Sequence, residues 1–563
     1  MNKPLFSCVL IARNESKVLP RLLKSLTEFK ERGGETILVD TGSTDNTVEI
    51  AKKWGCIIES VGDRFKRVID KEKADKINQH FLVNGEEDIF KEGDSCFDFA
   101  SARNYAASLA TNNYISYADA DEEYTKLDID KINDIISQGF GQFEYEFTFS
   151  HDQFGNPAVQ FRQCKFYDKT KLHWTGRIHE VLSPIGDDHP AVTYLQPSIY
   201  KLDHWQNLET NRTGYLRGLA LDCFEFPDND RHSHYLAREL YWSNRPHSAI
   251  REFNRHIAMD KWPAEKSQSM IFLGDIYDSL KDDKTAISWY HMAIEAEPNR
   301  REPWIHAAKM FFKKNDYMRT ACYASAAVQI PWSDFYANQK SHYTFEPEEM
   351  LYWAKWWLGD KDESKIHFDK AIDFLPYYRK FQEDSKFYYE YPDSLIEGWM
   401  TFRECQWLYN NAKKYNKILE IGSWKGRSSH ALLSGCKGQV TCVDTFEGSD
   451  DVNDLTNKIA KEEDIYSQFQ KNVGHFKNLI VLRMTSEEAH QILKDEKFDL
   501  IFLDALHTED GVIKDIELWK NNATRVICGH DYSAAWPGVV SGVDKTLGKP
   551  DIVSESIWQK YII

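Results

Sequence analysis

Long apolar runs are missing from this sequence: after Ser7 the apolar stretch lasts five residues, and no later one approaches the roughly 20 a membrane-crossing helix needs. The start therefore reads as a mature cytosolic N-terminus without a leader. Basic excess is missing too. Against 88 Asp and Glu stand 70 Lys and Arg, a net charge of -18, which argues against wholesale attraction to nucleic acid or an anionic membrane. The ten cysteines form no CxxC pair and no tight metal spacing, so reduced, mostly buried thiols are expected in place of a disulfide scaffold. What is present is core material. With 42% hydrophobic residues, 563 positions are too many for one core, and three or four domains are expected.

Three patterns follow one another. "LFSCVLIA" at 5–12 reads as a buried strand, and Val18, Leu19, Leu22, Leu23 and Leu26 recur at helical spacing. Strand "ETILVD" ends at Asp40 and leads through "TGSTDNT" into a helix, a βαβ beginning. Helix "SARNYAASLA" feeds strand "YISYAD", and alternating segments from Glu144 to Tyr167 add strands. The polar stretch 65–98 reads as an excursion or lid over the sheet's ligand edge. From 212 to 378 the pattern is helical: Ala293 and Ala327 lie 34 apart, Pro298 and Pro331 lie 33 apart, and Ala371 with Pro376 repeat the pair. From about 395, strands "NKILEIGS", "VTCVDTF", "LIVLRM", "FDLIFLDA" and "ATRVICGH" alternate with helical segments, the layout of a second doubly wound α/β sheet. The expected domains are 1–211, 212–378 and 379–563.

Asp119 and Asp121, with Glu122 and Glu123, stand directly after the strand "YISYA". Two carboxylates one residue apart at a strand exit can share a hard divalent cation, and Mg²⁺ or Mn²⁺ there would neutralise a diphosphate leaving group. A solvated acidic turn is the plain alternative. Asp40 ends its strand where ligands collect in an open sheet. Asp45 is placed either to cap the next helix or to bind. Arg13 and Arg103 carry fixed positive charge suited to phosphate, or to a salt bridge.

"ARNES" (12–16), "LVDTGSTDNTVEIAKKWG" (38–55), "FASARNYAASLA" (99–110), "YADADE" (117–122) and "WTGRIHEVL" (174–182) together make residues 5–205 resemble the family 2 glycosyltransferases of the GT-A fold. The resemblance implies a nucleotide-sugar donor, most of all a UDP-sugar, with Asp40 on the base and Asp119 or Asp121 on the metal. It also implies inversion, with a base deprotonating the acceptor; Glu180 is the leading candidate, and a salt bridge to Arg177 its alternative. His204 is the candidate further metal ligand, with His179 competing for metal or phosphate. Trp174 and Trp205 are candidates for a sugar face or for core.

The helical section resembles tetratricopeptide (TPR) repeats, whose concave face could grip an acceptor or whose helices could mediate a homodimer. In "ILEIGSWKGRSS" (418–429) a strand ends at Glu420, and Gly422 and Gly426 open a turn before a helix; the spacing is not GxGxxG. Asp444, 24 residues after Glu420, ends the next strand, where its carboxylate could accept ribose hydroxyls. With "VTCVDTF", "FDLIFLDALHTEDGVIKDIELW" and "VICGHDY", residues 400–550 resemble class I S-adenosylmethionine-dependent methyltransferases of Rossmann-like fold. That implies S-adenosyl-L-methionine held at Glu420, Gly422, Gly426 and Asp444. It also implies Mg²⁺ at Asp504 and Asp531, beside His507 and His530, for binding a sugar diol, with His507 taking the hydroxyl proton. Glu509 stands where the family's usual form has tyrosine.

The expected whole is a cytoplasmic, or peripherally membrane-associated, bifunctional transferase that adds a sugar and O-methylates a sugar hydroxyl. The alternative is a glycosyltransferase whose methyltransferase-like part only binds acceptor or partner. Acceptors left open are a glycan, a lipid-linked glycan and a protein; nucleic acid is not expected.

Overall fold

The structure is a computed structural model and describes residues 3–151, 157–187, 189–205, 213–333, 335–448 and 455–562. The expected boundary at 211/212 lies outside the described residues. The chain divides into two compact units, Met1–Ser364 and Lys365–Ile563. An N-terminal α/β sheet region and a helical-repeat region make up the first, and a second α/β sheet the other. Among the described residues no helix is long and apolar enough to cross a membrane.

The first sheet runs in the order Ile57–Ser60, Glu35–Asp40, Phe6–Ala12, Tyr114–Tyr117, Pro157–Asp168, Gln142–His151, Tyr200–His204, Glu122–Leu127, with Val192–Leu195 added beside Gln142–His151. Its first four strands are parallel, so their C-terminal ends share one edge. Both faces of Phe6–Ala12 are covered, which is why it reads as an uninterrupted apolar run. Leu19, Leu22, Leu23 and Leu26 bury against one face as their spacing requires. Tyr200–His204 returns antiparallel to Glu122–Leu127 and sets His204 opposite Glu122. That return carries a distant histidine to the acidic turn.

The excursion 65–98 is not a lid over the ligand edge. Lys66–Val68 pairs with Ser95–Phe97, and helix Lys71–Phe81 buries Ala74, Ile77 and Phe81 against Leu219, Leu236 and Leu240 of the repeat helices. Asn78 closes the loop: it accepts the N–H groups of Ile89 and Phe90 and donates to the Phe90 carbonyl at 2.7 Å. Apolar positions inside a polar stretch made a docking face that the composition concealed.

The repeat helices form antiparallel pairs, among them Asp230–Trp242 with Pro246–Met259, Pro263–Ser279 with Asp283–Ala296, and Glu302–Lys313 with Tyr317–Val328. Close approach demands small residues: a Cβ on Gly274 would lie 2.3 Å from the Tyr290 ring, and Ala293 and Ala327 are fully buried.

The second sheet has the order Leu479–Arg483, Gln439–Asp444, Lys417–Ile421, Phe498–Leu503, Ala523–Gly529, Ile557–Tyr561, Ile552–Ser554. Five strands are parallel and the last two antiparallel. Strand order reverses between Lys417–Ile421 and Phe498–Leu503, the topological switch point where an open α/β sheet offers its crevice.

Candidate active sites

At the edge of the first sheet two loops clasp each other. The Asn14 carbonyl oxygen Oδ1 accepts the Thr44 N–H at 2.7 Å, and Asp45 accepts the N–H groups of Ser16 (3.1 Å) and Thr47 (3.0 Å). Desolvation opposes ionisation of Asp45, but these hydrogen bonds outweigh it and bring the carboxyl down to about 2. Asp45 therefore joins the two loops, while the buried Asp40 accepts the Ser43 N–H at 2.8 Å. Arg13 stays exposed, 3.4 Å from Asp63.

The two aspartates of the acidic turn diverge. Asp119 lies 3.2 Å from Arg103 Nη2 and 2.6 Å from Lys165 Nζ; burial alone would raise its carboxyl, and the two cations hold it well below the usual range. Lys165 also reaches the fully buried Glu122 at 2.5 Å, whose carboxyl burial pushes up. Asp121 instead faces His204 Nε2 at 3.1 Å, and His204 Nδ1 meets the Phe149 carbonyl at 2.8 Å. Desolvation would lower the imidazole, yet the Asp121 carboxylate raises it. Lys165 lies mid-strand in "CKFYD", and nothing in the local sequence announces a lysine turned inward.

Glu180 pairs with Arg103, not with Arg177, whose guanidinium is taken by Asp222 and Glu225 of the first repeat helix. Arg103 thus bridges the acidic turn and the candidate base, its plane over the Tyr117 ring at 4.0 Å. The 176–180 loop rests on the repeats: Ile178 fills the space at Gly218, and His179, at φ 53°, stacks on Tyr235 at 3.8 Å. Trp174 is core, donating to the Tyr167 hydroxyl at 3.1 Å, while Trp205 stacks on His151 at 4.1 Å.

A cation and a diphosphate fit what this edge offers. Asp121 and His204 present an oxygen and a nitrogen together, and Arg103 Nη1 is buried with no hydrogen-bond partner among the described residues, a donor left for an anion. The chain supplies only part of a cation's shell here. Oxygens of the ligand itself would have to complete it.

In the second sheet, Gly422 (φ 86°) packs so closely on Asp504 that an added Cβ would lie 2.1 Å from its carbonyl oxygen. Asp444 Oδ2 accepts the N–H groups of Ser423 (2.7 Å) and Trp424 (2.8 Å), and Oδ1 accepts that of Phe446 (2.6 Å). Glu420 faces inward, fully buried, taking the Ser423 hydroxyl at 2.7 Å and that of Ser429. It braces the turn through Oε2, while Oε1 is buried with no hydrogen-bond partner among the described residues; desolvation raises its carboxyl. Gly426 (φ 91°) begins helix Arg427–Gly435.

Asp504, His530 and Asp531 meet at the strand ends, with one ligand atom from each lying within 4.8 Å of the others. His507 Nε2 adds a contact to Asp531 at 3.0 Å. Burial would lower His507, but Asp504 and Asp531 raise it to about 10. His530 also reaches Glu404 at 3.1 Å. Two carboxylates and a neutral imidazole suit a divalent cation, whose place as counter-charge to the carboxylates His507 takes here. Glu509 is occupied by Ser541 and Lys545, away from this cluster.

Comparison with known proteins gives family matches at both ends of the chain. Residues 7–74 match the family described as "Glycosyl transferase family 2", and residues 419–532 match "Methyltransferase domain". Among curated proteins, the SPbeta prophage-derived glycosyltransferase SunS of Bacillus subtilis is 25% identical over 260 residues, 44% of this chain and 52% of SunS. A TPR repeat-containing protein of Synechococcus elongatus is 32% identical over 213 residues, 38% of this chain and 42% of that protein. The chain thus spans about half the length of the curated relatives it matches. Among solved structures, an O-methyltransferase from Bacillus cereus in complex with SAH aligns at 17% identity over 29% of this chain and 82% of that one, with a TM-score of 0.22. In chain order, then, this protein carries a glycosyl transferase family 2-like domain, a TPR-like helical region and a methyltransferase-like domain.

Proposed function

We propose that the chain is a bifunctional transferase: its first edge moves a sugar from a nucleotide-sugar, most simply a UDP-sugar, to a glycan or related acceptor with inversion, and its second O-methylates a sugar hydroxyl from S-adenosyl-L-methionine. The observation that carries the first half is the Asp121–His204 pair beside the buried, partner-free donor of Arg103. Asp40, at the neighbouring strand end, keeps acceptor capacity for a base N–H. Arg13 and Arg103 face the negative charge of the diphosphate. Asp121 and His204 would hold Mn²⁺ or Mg²⁺, which when bound supplies neutralisation of the leaving diphosphate. Glu180, fixed by Arg103, takes the proton of the attacking acceptor hydroxyl. Asp119, locked between Arg103 and Lys165, positions Arg103.

For the second half, Asp444 spends three acceptor positions on the turn, and a carboxylate has about four. The remainder is what a ribose hydroxyl would use. Asp504, Asp531 and His530 would hold the divalent cation, which supplies acidification of a bound hydroxyl. With no cation on those carboxylates, His507 is held protonated at neutral pH. Its service as a base therefore requires those carboxylates to be occupied.

Product mass tests the proposal. Incubation of full-length protein with a nucleotide-sugar panel, S-adenosyl-L-methionine and a glycan acceptor should add one hexose and one methyl group to one product. Asp444→Ala should stop only the methyl. Hexose addition without methyl under every condition would reduce the second domain to a binding module.

A further inference from the structure

Away from both strand edges, three repeat helices bring Asp230, His256 and Glu265 together, with one ligand atom from each inside 4.8 Å of the others. Asp230 opens helix Asp230–Trp242, His256 lies in Pro246–Met259, and Glu265 lies in Pro263–Ser279. His256 and Glu265 are 3% and 1% exposed, so this is no solvated acidic face. The polar contacts of the group are few. Glu265 accepts the Tyr336 hydroxyl at 2.7 Å and lies 3.3 Å from Arg231, and Asp230 has Lys261 at 3.7 Å. His256 Nδ1 meets the Ser269 hydroxyl at 2.9 Å, and Ser269 also meets His234.

We propose that Asp230, His256 and Glu265 form a site for a divalent transition metal, Zn²⁺ foremost, that staples three repeat helices together. One imidazole nitrogen and two carboxylate oxygens suit zinc better than magnesium or calcium, and a water on the open side of Asp230 completes a tetrahedral set. Ser269 fixes the His256 ring by its second nitrogen, the outer contact a metal-bound histidine usually has. The staple has a mechanical consequence. Helix Asp230–Trp242 also carries Tyr235, on which His179 stacks, and His232, whose Nε2 would lie 3.1 Å from a Cβ on Gly176. Metal at the head of that helix therefore holds the seat of the 176–180 loop. The inference stands without either proposed activity.

The test is titration calorimetry of ZnCl₂ into full-length protein freed of metal by chelation, in an Asp121→Asn/Asp531→Asn background that removes a candidate ligand from each strand edge. About one equivalent should bind tightly. Adding Asp230→Asn, at a partly exposed position that leaves the fold intact, should weaken it at least about tenfold, and adding His256→Gln should abolish it, with circular dichroism checking the fold. No tight zinc in the background protein, or equal zinc binding after Asp230→Asn, overturns the site.

Discussion

Replacing Gly422 by alanine tests how the second sheet builds its crevice. The new methyl would sit 2.1 Å from the Asp504 carbonyl oxygen and 2.5 Å from its carbon. A carbon–oxygen contact needs about 3.3 Å, so the two strand ends must part by roughly 1 Å. These are backbone atoms and cannot rotate aside. The φ of 86° adds about 1–2 kcal/mol for any side chain, and forcing the contact about 1–3 kcal/mol, giving a total loss of about 2–5 kcal/mol. Parting the ends also strains the bonds from Asp504 N–H to the Ile421 carbonyl (2.8 Å) and from Gly422 N–H to the Val443 carbonyl (2.9 Å). Asp504 then moves off His530 and Asp531. Gly426→Ala is the control: its φ is equally positive, but its methyl meets the Phe469 and Val473 side chains at 3.2 Å, which can yield. In thermal unfolding followed by circular dichroism, Gly422→Ala should lower the Tm by about 5–15 °C and Gly426→Ala by clearly less, while S-adenosylmethionine affinity falls about 10- to 100-fold only in the former. Equal Tm losses, or unchanged affinity in Gly422→Ala, would refute the claim that close backbone approach builds the site.

Lys165→Met strips the buried Asp119 and Glu122 of their shared cation and should cost about 3–5 kcal/mol in urea unfolding. The loss should be smaller at pH 5 than at pH 8, because Glu122, already raised by burial, sheds its charge by taking a proton. His430, lowered to about 4 by burial and by His475, should make stability fall as pH drops from 6.5 to 4, since the unfolded chain binds a proton the folded one refuses. The slope amounts to about 2–3 kcal/mol, and His430→Gln should flatten it.

What the sequence revealed was what local pattern encodes. Apolar runs marked the parallel strands, and parallel strands put their ends on one edge, so Asp40, Asp121, Asp444, Asp504 and Asp531 were legible as edge residues. His204 was legible through its place in "YKLDHW". Convergence across distance was not. Lys165 and Arg103 meet Asp119 from different elements, and they divert one half of the Asp-x-Asp turn from the metal role expected of it. Glu420 reads from the sequence as the end of its strand, which in the structure runs on to Ile421, and its side chain lies inward beside Ser423 and Ser429. The 65–98 excursion hid its docking face because Ile69, Ile77, Phe81 and Phe90 are scattered among charges and cluster with helices more than a hundred residues on.

Release of nucleoside diphosphate from a panel of UDP- and GDP-sugars, with and without Mn²⁺, in wild type and in a folded Asp121→Ala protein, tests the central claim most directly. Turnover should need the cation and collapse in the variant. Cation-independent release, equal in both proteins, would contradict it.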